Sequence, residues 1–239
     1  DLHAFPKLEA VLDCVYNPFR TELLLRAEEL GVPAYCGFEM LVAQAVYAAE
    51  HFTGQKLPEA VIADTHRKLK RDLSNVAIIG MPGCGKSTIG RALAKTLGKT
   101  YVDLDEVIEK NTGMPIPDIF AREGEASFRK YESQAVAEIS KQTRQVIACG
   151  GGAMLNPDSA AAARKEGVVV LLDESFDTCY RRIKGDTNRP IVQRSTKEEL
   201  EQLFQKRAAV YRANASCVVA GGVSPRKMAE RVIAAVQEA

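Results

Sequence analysis

The sequence predicts an α/β fold: a five-stranded parallel sheet with helices on both faces, preceded by a small, mostly helical N-terminal appendage. Three observations carry this reading. Short continuous apolar runs, among them Val76–Ile79, Val146–Cys149 and Val168–Leu172, alternate with helical stretches from residue 74 onward. Strands that are apolar on both sides belong to parallel sheets covered on both faces. The composition, 46% hydrophobic and 26% charged, is that of a packed domain and not of a disordered chain. Trp is absent and the aromatics are 8 Phe and 7 Tyr, so the core must rest on Val, Ile, Leu and Ala.

Taken in chain order, the first marker is Thr53-Gly-Gln-Lys-Leu-Pro58, a helix stop followed by a turn. His66–Arg71 is a short basic run, read either as a solvated helix face or as a linker. A strand then begins abruptly at Val76, which places the boundary near residue 73 and gives two parts, 1–73 and 74–239. In the second part Lys86–Leu97 reads as a helix closed by Gly98, and Thr100–Leu104 as a strand. Pro115–Ala121 and Glu123–Gln142 read as helices, Val146–Cys149 as a strand ending in three glycines, and Pro157–Glu166 as a helix stopped by Gly167. Val168–Leu172 is a strand, Phe176–Ile183 and Lys197–Tyr211 are helices, and Ser216–Val219 is a short strand. In the last helix Met228, Val232, Ile233 and Val236 share one face at helical spacing.

Charge and cysteine usage exclude several functions. Lys plus Arg is 32 against 31 for Asp plus Glu, so the net charge of +1 offers no bulk attraction to nucleic acid or an anionic membrane. No apolar run reaches the roughly 20 residues that a membrane helix needs. The six cysteines are scattered, without a Cys-x-x-Cys pair, and there are only 3 His, which argues against zinc and against a disulfide framework. Free thiols fit a reducing cytoplasm. The chain opens on Asp1 rather than Met, which reads as a piece of a longer product.

The strongest local signal is Gly80-Met-Pro-Gly-Cys-Gly-Lys86-Ser87, which matches G-x-x-x-x-G-K-[ST] at every position, after an apolar strand and before a helix. Glycines let backbone N–H groups curl around phosphate oxygens, and the helix N-terminus adds partial positive charge. Lys86 reaches the β- and γ-phosphates, and the Ser87 hydroxyl can ligate Mg²⁺. Cys84, inside the loop, is either a small filler or a thiol made acidic by Lys86. At the end of the second strand, alternation turns Asp103 and Asp105 to the same side. Beside a phosphate site such carboxylates can hold Mg²⁺ and orient an attacking hydroxyl; alternatively they cap a helix starting at Glu106. Arg129 and Glu132, three apart on one helix, can form an ordinary surface ion pair. Gly150-Gly-Gly152 leaves room for a ligand to approach the backbone, or makes a flexible turn.

Residues 74–239 resemble a shikimate kinase. The ordered set is GMPGCGKST, the Asp103-x-Asp105 pair, GEASFRKYE, the GGGA run at 150–153, Asn188-Arg-Pro190 and KRAAVYR. The resemblance implies a P-loop kinase of nucleoside-monophosphate-kinase type with a mobile lid, here 185–196, and transfer of phosphate from ATP to the shikimate 3-hydroxyl with Mg²⁺. It assigns Gly83, Cys84, Gly85, Lys86, Ser87 and Thr88 to ATP phosphates, and Ser87 with Asp103 to the metal. Asp105, Arg129, Arg207 and Gly150, Gly151 and Gly152 fall to shikimate. Arg189 in the lid falls to ATP, and Arg182 to the adenine side. Lys86, Asp105 and Arg189 are then the catalytic set, in a kinase that acts as a monomer on small molecules. An Arg that some family members carry before the last helix is replaced here by Gly221-Gly-Val-Ser224, with Arg226 as an unaligned substitute.

The first 60 residues carry a second resemblance. Val15-Tyr-Asn-Pro-Phe-Arg-Thr21 and Gly37-Phe-Glu-Met-Leu-Val-Ala-Gln44 resemble the C-terminal end of a shikimate dehydrogenase. The resemblance assigns Tyr16 and Gln44 to shikimate and Gly37 and Met40 to the nicotinamide side. The phosphate-binding turn and the domain with the catalytic Lys and Asp have no counterpart, so the expectation is an inactive remnant of a fused pathway enzyme. Two other readings of the main part remain at this point: a gluconate kinase, which shares the P-loop and a similar Asp pair, and a regulator that binds ATP without turnover.

Overall fold

The apolar runs do become strands. In the computed structural model, which describes residues 1–186, 192–193 and 195–238, packing divides the chain into two compact units, Asp1–Ser74 and Asn75–Ala239. The first unit opens with two short parallel strands, β1 (Val11–Asp13) and β2 (Ala34–Cys36), linked through helix α1 (Glu22–Glu29). Val11, Leu24 and Ala27 form a small core beneath them. Helices α2 (Phe38–Thr53) and α3 (Ala60–Leu73) follow. Phe19, Phe38 and Val42 pack together with Val46, Ile62 and Leu73 around them, and the Phe19 and Phe38 rings meet edge to face at 5.1 Å. The basic run His66–Arg71 is therefore part of α3, and not a linker. Leu73 at its end packs on the unit's own core.

The second unit is the five-stranded sheet. Its strands are β3 (Asn75–Ile79), β4 (Thr100–Asp103), β5 (Gln145–Ala148), β6 (Gly167–Asp173) and β7 (Cys217–Ala220), in the order β4-β5-β3-β6-β7 with every pair parallel. Helices α4 (Lys86–Leu97), α5 (Leu104–Thr112), α6 (Ile116–Arg122), α7 (Gly124–Ile139), α8 (Pro157–Lys165), α9 (Phe176–Ile183), α10 (Lys197–Asn214) and α11 (Pro225–Glu238) connect and cover it. The second strand ends at Asp103, one residue before the expected end. The helix expected over 123–142 stops at Ile139, with Lys141 and Gln142 in turns.

Strand alternation sorts the core into two layers. Val76, Ile78, Val168, Val170 and Leu172 face Ile89, Leu93, Met228 and Val232. Ala77, Ile79, Val169 and Leu171 face Leu104, Ile108, Val136 and Ile139. Of the four residues expected to anchor the last helix, Met228 and Val232 are buried, and Ile233 and Val236 pack against the same cluster from its edge. Central β3 has β5 on one side and β6 on the other, so the segments leaving β3 and β5 diverge at the carboxyl edge of the sheet. Open α/β sheets bind ligands in that crevice. No helix among the described residues is long and apolar enough to cross a membrane.

Candidate active site

The loop after β3 is shaped by its glycines. Gly83 and Gly85 have φ of 82° and 103°, a left-handed conformation that side chains resist, and a Cβ on Gly83 would come within 2.6 Å of the Cys179 carbonyl oxygen of α9. Lys86 opens α4 and turns back over the loop, its Nζ donating to the carbonyls of Gly80 and Met81 at 2.9 Å each. Arg182 on α9 reaches the same loop, with Nη1 donating to the Gly83 carbonyl at 2.9 Å. Together Gly83, Gly85, Lys86, Ser87, Thr88 and Arg182 line a cleft of about 270 Å³ that also takes in Asp103 and Asp105. Cys84 is buried with Ile89 and Leu93 in the core, and Lys86 Nζ stands 3.8 Å from its Sγ.

Of the two readings of Asp103, the structure shows the helix cap. Its Oδ1 accepts the backbone N–H of Asp105 at 3.2 Å and caps α5. Its Oδ2 accepts the Ser87 hydroxyl at 3.2 Å and the Tyr101 hydroxyl at 2.8 Å. The cap makes Asp105 part of the first helical turn, so α5 starts two residues before Glu106. Tyr101 is half-buried, and burial more than its contact with Asp103 pushes the phenol up to about 12. It remains a hydrogen-bond donor at any ordinary working pH.

A second, larger cleft of about 620 Å³ lies against the first. Asp105, Arg129, Glu132, Gly150, Gly151, Gly152 and Arg207 form its polar wall, and Ile116, Phe120 and Phe128 its apolar wall. Glu132, expected in a surface pair, is only 3% exposed. It takes Arg129 Nη1 at 2.8 Å, while Arg129 Nη2 holds the exposed Glu125 at 3.0 Å. Burial raises the Glu132 carboxyl, Arg129 pulls it back in part, and Asp105 raises it further. Arg207 is itself buried and donates from Nη1 to the Gly151 carbonyl at 3.4 Å, while its buried Nε has no hydrogen-bond partner among the described residues. A planar guanidinium with a spare buried donor suits a carboxylate ligand.

The glycine run owes its composition to neighbouring side chains. A Cβ on Gly150 would stand 2.9 Å from both Asp105 Oδ1 and Glu132 Oε1, and one on Gly152 would collide with the Arg129 guanidinium. None of the three has positive φ, so a special turn conformation is not what selects them. The Gly151 carbonyl is held by the Tyr211 hydroxyl as well as by Arg207. Tyr211 and Tyr101 were not singled out from the sequence. Helical spacing from Arg207 to Tyr211 and strand alternation from Tyr101 to Asp103 were the signals available. Arg189, Asn188 and Pro190 lie outside the described residues, as does much of the expected lid. In the first unit Tyr16, Met40 and Gln44 are exposed, and Gly37 is buried against the Cys14 backbone.

Comparison with known proteins agrees with this geometry. The family described as "Shikimate kinase" matches residues 82–237, and the one described as "Shikimate 5'-dehydrogenase C-terminal domain" matches residues 37–65. A shikimate kinase of Thermodesulfovibrio yellowstonii is 40% identical over 162 residues, 67% of this chain and 94% of that protein. One from Nitrosomonas europaea is 42% identical over 161 residues, 66% of this chain and 76% of that protein. Among solved structures, the shikimate kinase from Acinetobacter baumannii in complex with shikimate aligns with a TM-score of 0.66 and 32% identity, covering 70% of this chain and 94% of that one. A phosphate loop at the central strand, a carboxylate pair beside it and two arginines across the larger cleft are thus joined by a match over most of the chain: it belongs to the shikimate kinase family.

Proposed function

We propose that the chain transfers the γ-phosphoryl group of ATP to the 3-hydroxyl of shikimate, giving shikimate 3-phosphate and ADP. One observation carries the reading. Ser87, Asp103, Asp105, Gly150 and Gly151 belong to both clefts, so a phosphate held in the smaller cleft and a hydroxyl held in the larger one meet at a shared wall. Phosphoryl transfer needs little covalent help from a protein; positioning and charge compensation do most of it.

In this reading Lys86 and the N–H groups of residues 83–88 hold the phosphates, and Arg182 flanks them on the adenine side. Arg129 and Arg207 take the carboxylate of shikimate, and Asp105 accepts and orients the hydroxyl proton. Mg²⁺ takes oxygen ligands and keeps several waters, so it needs only one or two side chains beside substrate phosphates. Ser87 Oγ, directly, and the Asp103 carboxylate beside it, through a water, would fit that demand; the two side chains meet at 3.2 Å at the mouth of the phosphate loop. When bound there the ion offsets charge on the phosphate oxygens. Arg189 is assigned to ATP on the family pattern. The family pattern is that of a kinase working as a monomer, and the six unpaired thiols fit a reducing cytoplasm. The N-terminal unit supplies no step and is read as an inactive dehydrogenase remnant.

The test is ADP release in a coupled assay with shikimate, with gluconate and with no acceptor. Release that requires shikimate supports the proposal. Release with gluconate alone assigns the other sugar-acid kinase. Nucleotide binding without release in any arm assigns a regulator.

A further inference from the structure

We propose that Tyr101 is a positioning residue for the metal–nucleotide site, its hydroxyl fixing the Asp103 carboxylate opposite Ser87. The inference rests on the kinase reading above and concerns a residue that the family motifs do not include.

The hydrogen bonds around Asp103 are divided between its two oxygens. Oδ1 takes the Asp105 N–H at 3.2 Å. Oδ2 takes two hydroxyls, from Tyr101 at 2.8 Å and from Ser87 at 3.2 Å. A serine that gives a lone pair to a cation must send its proton elsewhere, and Asp103 Oδ2 is where Ser87 sends it. Tyr101 makes the shorter of the two contacts on that oxygen, and with the Asp105 N–H on Oδ1 it holds the carboxylate's rotation from both ends. With Oδ2 supplied by both hydroxyls, Oδ1 keeps one lone pair for a water of the metal's shell. Partners of this kind, one step removed from the ion, hold ligands in their binding geometry.

The ring itself is held on both sides. Gly90 lies on α4 one turn after Ser87, and a Cβ there would stand 2.8 Å from Tyr101 Cε2. Only a glycine lets the ring lie close enough for its hydroxyl to reach Asp103. On the ring's face the Arg91 guanidinium stacks 4.5 Å from the centroid, and Arg91 is itself tied to Glu106 at 3.3 Å. Burial on β4 and these contacts hold the phenol hydroxyl beside Asp103 Oδ2 and the Ser87 hydroxyl.

Tyr101→Phe keeps the ring against Gly90 and Arg91 and deletes only the hydroxyl. The measurement is ADP binding to the full chain by titration calorimetry, once in EDTA and once in saturating Mg²⁺, with Mn²⁺ binding to the ADP complex followed by electron paramagnetic resonance. The expected result is unchanged affinity in EDTA, a loss of the metal-dependent gain by about 10-fold, and Mn²⁺ affinity weakened by a similar factor, since such partners commonly carry about 10- to 100-fold. KM for shikimate should not move. Gly90→Ala, which displaces the ring without touching its hydroxyl, should reproduce the metal effect, with its melting temperature measured alongside to report folding. A Tyr101→Phe protein with wild-type gain from Mg²⁺ overturns the positioning role and leaves the kinase reading intact. Equal weakening in EDTA and in Mg²⁺ overturns it as well, because the hydroxyl then acts on the nucleotide fold and not on the metal. A wild-type protein that gains nothing from Mg²⁺ removes both the metal site and the proposal.

Discussion

Arg129 and Glu132 stand one helical turn apart with Nη1 and Oε2 2.8 Å from each other, and the carboxylate is 3% exposed. The same spacing on a solvated face would be worth a few tenths of a kcal/mol. Here Glu132 has been taken out of water, and Arg129 is fixed by it at the wall of the larger cleft. A buried carboxylate is costly to keep charged, and its place beside Arg129 is where that cost is offset.

That burial has a sign. The Glu132 carboxyl is raised, by desolvation first, so the folded state binds its proton more readily than the unfolded chain does. Stability from this group is therefore fully present below the unfolded value and is lost as pH rises through the folded one. Glu132→Gln should gain on wild type in melting temperature as pH goes from acid to neutral, while its shikimate KM rises because Arg129 loses its anchor. Parallel melting curves across that range, or an unchanged KM, would contradict the assignment.

Asp105→Asn keeps the size of the side chain and removes the acceptor for the hydroxyl proton. Positioned acid–base groups contribute about 10²- to 10⁴-fold, so turnover should fall by that order with ADP affinity nearly unchanged. Asp103→Asn should do the reverse and weaken the metal–nucleotide complex. An exchange of the two phenotypes in binding and turnover assays would mean that the roles are exchanged.

Gly150→Ala tests the packing account of the glycine run. The added methyl would sit 2.9 Å from Asp105 Oδ1 and Glu132 Oε1, so both carboxylates must shift. Displacements near an ångström at a reacting centre cost about 10²-fold. Turnover with shikimate should drop by about that factor while ADP binding stays close to wild type. A fully active Gly150→Ala protein would show that these carboxylates tolerate displacement.

A chain beginning at Asp72 should keep its shikimate-dependent ADP release. The second unit closes its own sheet at Asn75, whose N–H donates to the Glu166 carbonyl at 2.9 Å and whose Oδ1 takes the Gln145 N–H at 2.9 Å. The first unit has its own small cores. The full chain should show no NADP-linked oxidation of shikimate. An unfolded truncation, seen by circular dichroism, or NADPH formation by the full chain would each count against the division of labour.

The phosphate loop and the order of strands and helices along the chain were legible in the sequence, because a glycine-rich turn between an apolar strand and a helix has few other uses. The Asp103 question was not. From spacing alone it was a metal ligand or a helix cap; the structure shows the cap through Oδ1 and leaves Oδ2 beside the Ser87 hydroxyl, a position compatible with the other reading. The basic run at His66–Arg71 could be helix or linker; Leu73, packing on the first unit's core, settles it as helix.

By itself the sequence determined what depends on neighbours in the chain: the strand and helix periods, the curl at Gly83 and Gly85, and the i,i+3 pairing of Arg129 with Glu132. Only the tertiary structure decided burial and encounter: that Glu132 is inside, that glycines 150 and 152 yield space to Asp105, Glu132 and Arg129, and that Tyr211 and Arg207 grip the Gly151 carbonyl some 60 residues away in sequence. Local patterns follow from backbone geometry over a few residues. Desolvation and close approach depend on which distant segments fold against each other, and only the packed sheet brings those segments together.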